Sequence, residues 1–134
     1  MKARNRSEIG PSTHAVVCVI DGDQGIRDSL HMLLGTLGVS VLSFSTAEEF
    51  LDQVSGEGPS LIITELALPG MSGLELKAAL NEKGIQTPVI GLTGEASRRS
   101  REEASRRGFL ELVEKPFVYW SVVERVQQTL GVTG

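Results

Sequence analysis

The chain has a single cysteine, Cys18, no long apolar run and no large excess of either charge. A lone cysteine closes no internal disulfide, and its neighbours Val16, Val17, Val19 and Ile20 predict a buried core thiol in a reducing compartment. The apolar run from Ala15 to Ile20 falls far short of a membrane span, which takes about 20 residues. Residues 1–14 carry Lys2, Arg4 and Arg6 with no apolar stretch behind them, so the signal-peptide pattern is not met and a cytoplasmic location is expected. Thirteen Lys and Arg against seventeen Asp and Glu leave a formal charge of −4, which gives no whole-molecule attraction to nucleic acid. Neither glycine-rich nucleotide loop occurs, and His14 and His31 stand apart, without the spacing of a zinc site.

What is present suits one folded domain: 134 residues, 40% hydrophobic and 22% charged. Short apolar runs alternate with segments of helical periodicity. Strands are expected at 15–20, 39–44, 61–64, 88–92 and 109–113. Between them, Ile26, Leu30, Leu33, Leu34 and Leu37 form one helical stripe ended by Gly38. Thr46 with Glu49, and Ser72 with Glu75, read as capping boxes opening two further helices. A weakly striped arginine-rich helix is expected over 96–107, and a last helix over 118–130 with Val122, Val123, Val126 and Leu130 inward. Five βα units predict an α/β, doubly wound parallel sheet of five strands with five helices, preceded by a polar tail (1–14) and followed by a short one (131–134).

In such sheets chemistry gathers at the carboxyl ends of the strands. Those ends supply Asp21 and Asp23, Glu65, Thr93, and Lys115 before Pro116. Carboxylates can hold a divalent cation or attack phosphorus, while a hydroxyl and an ammonium neutralise phosphoryl oxygens. The segments LIITELALPGMSGLEL (61–76), LTG (92–94) and VEKPF (113–117) resemble the receiver domain of two-component response regulators, the CheY-like fold, and most of all FixJ-like receivers. The resemblance covers residues 15–130 and implies strand order 2-1-3-4-5, a non-enzymatic signalling role, a sensor histidine kinase or other signalling protein as partner, and Mg²⁺ as cofactor. It matches Asp21 to the first pocket acid, Thr93 and Lys115 to the phosphoryl-sensing hydroxyl and lysine, and Asp21, Glu65 and Ala67 to the metal-binding positions.

Three positions depart from that pattern: Glu65 replaces the phospho-accepting aspartate, Gly22 the second metal-binding acid, and Leu112 the aromatic switch residue. A methylene more in Glu65 misplaces the nucleophile by about 1 Å, enough to cost on the order of 10²-fold in rate. Asp23, between a strand and a helix, reads more simply as an N-cap than as a replacement ligand. The expectation is therefore an atypical, phosphorylation-independent receiver with weak or no Mg²⁺, in which Glu65 pairs with Lys115. Its contacts would run through the last two helices, where Tyr119, Trp120, Arg98 and Arg99 form a candidate surface for a partner or a second copy. DNA would be reached only through an output domain outside this chain. The rivals are a working phosphorylated receiver and, from another class, a flavodoxin-like FMN carrier, which Asp21-Gly22-Asp23 disfavours by repelling a phosphate.

Overall fold

The computed structural model describes residues 15–132; the expected 1–14 tail, with His14, and the final two residues lie outside them. Five strands, β1 (Val16–Ile20), β2 (Ser40–Phe44), β3 (Leu61–Glu65), β4 (Val89–Thr93) and β5 (Glu111–Glu114), alternate with five helices. These are α1 (Gln24–Gly35), α2 (Ala47–Gln53), α3 (Gly73–Glu82), α4 (Arg98–Arg106) and α5 (Tyr119–Leu130). All pairings are parallel and the order is β2-β1-β3-β4-β5, as expected. The three inner strands are apolar runs because both faces are covered. One core layer joins Val17, Val19, Ile63 and Leu92 to α1 and α5, while the other joins Ile20, Ile62 and Leu112 to Phe50, Leu76, Leu80 and Ala104 of α2, α3 and α4.

Local differences from the sequence reading have identifiable causes. β5 starts at Glu111, two residues late, because Gly108 and Phe109 are used to close α4. Gly108, at φ +93°, donates to the Ser105 carbonyl and Phe109 to the Ala104 carbonyl, a Schellman closure that leaves Phe109 buried. α3 ends the same way, through Gly84 and Ile85. The Ser72–Glu75 capping box forms, but that of Thr46 and Glu49 is only half made: Thr46 caps the Glu49 N–H, while the Glu49 carboxylate turns to the N–H and hydroxyl of Ser45. Hydrogen bonds from Ser45 hold the Glu49 carboxyl below its ordinary pKa. α4 begins at Arg98, capped by Ser97, and α5 begins at Tyr119 with Val118 as an N-cap that offers no side-chain acceptor.

A constrained turn then places the end of β3. A Cβ at Gly73 would lie 2.5 Å from the Glu65 carbonyl oxygen, so the first residue of α3 must be glycine for the helix to approach that closely. The Gly73 N–H donates to the Leu66 carbonyl, and Glu48 of α2 accepts the Met71 N–H, tying the β3–α3 loop from two sides.

Candidate functional site at the carboxyl edge of the sheet

Asp21 follows β1 directly and is fully buried. Its Oδ1 accepts the Asp23 N–H at 2.8 Å, and its carbonyl accepts Nη1 of Arg27 at 2.7 Å. Its Oδ2 makes no well-directed hydrogen bond, so the Lys115 ammonium 2.9 Å away is what compensates its charge. The same ammonium lies 3.3 Å from Glu65 Oε2, and Glu65 Oε1 accepts the Gly22 N–H at 3.3 Å. The lysine is itself set in place by its backbone N–H, which donates to the Thr93 carbonyl at 2.6 Å. Burial alone would pull the Lys115 pKa down, but contact with Asp21 and the charges of Asp21 and Glu65 together outweigh it and leave it raised.

The structure therefore brings Asp21, Glu65 and Lys115 together beside the Gly22 backbone. The side chains of Asp23 and Thr93 are engaged beside it. Asp23 caps α1, its Oδ1 accepting the Ile26 N–H at 3.1 Å. The Thr93 hydroxyl exchanges hydrogen bonds with the Glu95 backbone in its own loop. Ala67 is exposed in the loop after β3. Leu112 is buried and packs over Gly91, where a Cβ would come within 2.9 Å of its Cδ1, so it acts as core filling. Tyr119 is partly buried and meets Phe117 edge to face at 4.9 Å, whereas Trp120 is 54% exposed.

Two residues escaped the sequence reading. Arg101 leaves the arginine cluster to donate to the Leu112 carbonyl at 2.9 Å, pinning α4 to β5. Lys77 is buried on α3, its ammonium donating to Asn81 Oδ1 at 2.6 Å, and burial lowers its pKa. Arg101 reaches a backbone carbonyl eleven residues away, and Lys77, although Asn81 stands one helical turn on, is buried only by the packing of α3, which spacing does not encode.

As a cation site the pocket fits poorly. Glu65 has both carboxylate oxygens facing N–H or ammonium donors, Asp21 likewise, and Gly22 offers no side-chain oxygen. Among the described residues no three acidic, histidine or cysteine side chains are grouped to hold a metal. A divalent ion would have to displace the lysine. No helix among the described residues is long and apolar enough to cross a membrane.

A doubly wound β2-β1-β3-β4-β5 sheet with acids after β1 and β3 and a lysine after β5 defines a receiver-type signalling domain. The response regulator receiver domain model matches residues 17–127, and the chain belongs to that family, the receivers of two-component systems. It is 36% identical over 115 residues to the transcriptional regulatory protein FixJ of Azorhizobium caulinodans, covering 86% of this chain and 54% of that protein. It is 34% identical to an uncharacterized 14.6 kDa protein of Leptolyngbya boryana, covering 84% and 87%. The BeF3-activated DrrB receiver domain, from a Thermotoga maritima OmpR/PhoB homologue, superposes with a TM-score of 0.80 at 28% identity, covering 88% and 98%. The chain spans about half the length of the first curated relatives it matches.

Proposed function

We propose that this receiver is atypical: it signals by protein contact without accumulating phosphate at Glu65 and binds Mg²⁺ weakly or not at all. The observation that carries the reading is the shared ammonium. Lys115 lies within 3.3 Å of both Asp21 and Glu65, and Gly22 holds the remaining Glu65 oxygen, so the carboxylate at the acceptor position is engaged as a fixed charge. Leu112, buried over Gly91, has no ring to exchange between two positions. The partners proposed are a sensor histidine kinase or another signalling protein, with a second copy docking through the last two helices as the self-association. The relatives named as transcriptional regulators support an output domain, attached or separate, as the route to DNA.

Acetyl phosphate followed by intact-mass measurement tests this. The native protein should gain no phosphoryl mass, and Glu65→Asp with Gly22→Asp should gain it partially. A Cβ at Gly22 would meet its nearest neighbour, Glu65 Oε1, only at 3.9 Å, so the new carboxylate has room. Each single change should do less, since nucleophile and metal ligand act together. Rapid labelling of the native protein overturns the reading.

A further inference from the structure

The face of the sheet under α2 is incompletely covered. α2 has seven residues, and at the edge strand it leaves Leu42 51% exposed above a groove of about 430 Å³ lined by Val16, Phe44, Phe50, Val54 and Glu57. An exposed leucine beside an open groove with apolar walls at Val16, Phe44, Phe50 and Val54 and a polar rim at Gln53, Ser55 and Glu57 has the mixed composition of a binding site. Glu57 lines the groove and Asp52, next to the lining residue Gln53, is exposed, while no Lys or Arg occurs between Arg27 and Lys77. An occupant should therefore combine an apolar anchor with positive charge.

The chain carries such a segment. Residues 1–14 include Lys2, Arg4 and Arg6 against one acid, Glu8, with Ile9 as their large branched apolar residue and Gly10-Pro11 as a turn signal behind it. They join the fold at the groove itself: Ala15 accepts the Ser40 N–H, and Val16 lines the groove. Ile9 lies six residues before Ala15, a span of up to about 20 Å when extended. Leu42 pairs in register with Cys18, three residues along β1 and about 10 Å away. The reach exceeds that distance. A second copy docking by two-fold symmetry would instead set one acidic α2 against another.

We infer that the groove between β2 and the α2–β3 loop is the docking site of the chain's own basic N-terminal segment, with Ile9 as the anchor against Leu42 and the three cations along the acidic rim. The test is methyl NMR on the dilute full chain. Contacts between Ile9 and Leu42 methyl groups should be seen within one molecule. Ile9→Ser should abolish them and shift the Leu42 and Val54 methyl resonances, and reversing Lys2, Arg4 and Arg6 to glutamate should do the same. Since these changes lie outside the folded core, loss of fold does not confuse the result. Unmoved Leu42 and Val54 resonances in Ile9→Ser overturn the proposal. So does an Ile9–Leu42 contact found only between differently labelled molecules, which would make a second copy the occupant.

Discussion

Lys115 sets the balance of charge in the crevice. Asp21 has no access to water, and its Oδ2 has only the ammonium to offset its charge. Removing one partner of a buried pair leaves the other uncompensated, a loss of about 3 kcal/mol or more. Lys115→Met should therefore lower unfolding stability by about that much in urea titration, and Lys115→Met with Asp21→Asn should recover part of it. An equal loss in both proteins would show that the two groups are not coupled. Cys18 illustrates the opposite case, a group kept neutral: burial pushes its thiol up from 9.0 to about 11. A folded-state pKa above the unfolded value gives a stabilisation complete below pH 9.0 and lost as the pH climbs toward 11. Two pKa units correspond to about 2.7 kcal/mol at the upper end. Urea unfolding at pH 8 and again near pH 11 should show a loss of roughly that size, and Cys18→Ala should remove it.

At the scale of elements, strands and helices were legible because their signals are local. Continuous apolar runs gave the three inner strands, and Leu30 and Leu34 gave the buried side of α1, with Leu37 buried just past its end. What periodicity missed was competition for the same residues: Phe109 has strand character but is spent closing α4, and Glu49 meets Ser45 before it can reach Thr46. The site divides in the same way. Asp21, Glu65 and Lys115 were readable as strand-end residues, whereas the rotation of the Thr93 hydroxyl toward Glu95 and the Arg101 hold on Leu112 depend on side-chain geometry that spacing does not encode. α5 contains a further local conflict. Val118 sits at the N-cap, 71% exposed, and gives the first turn no acceptor. Val118→Ser should supply one and raise stability by about 1 kcal/mol, read as a higher urea midpoint at unchanged slope. An unchanged midpoint would mean that the turn is already satisfied by water.

Charge is segregated by element. On the α2–α3–α4 face, α2 is acidic while α4 carries Arg98, Arg99, Arg101 and Arg106, and the large exposed apolar side chains Val118 and Trp120 stand at the start of α5. Pairing within α4 removes part of its basic character: Arg98 lies 3.5 Å from Glu102, Arg107 3.1 Å from Glu103, and Arg101 is turned to the backbone. Exposed pairs of this kind contribute little to folding, so their arrangement leaves charge available for recognition. Trp120 is the residue with most to gain from a partner. Val122, Val123 and Val126 already fill the inner side of α5, and Tyr119 is taken up by Phe117. An aromatic anchor at an interface is worth ~2 kcal/mol, about 30-fold in affinity. Sedimentation across a concentration series, alone and with a signalling partner, should therefore show Trp120→Ala associating about 30-fold more weakly while its unfolding midpoint stays near that of the native protein. Identical association of the two proteins would place the contact surface elsewhere.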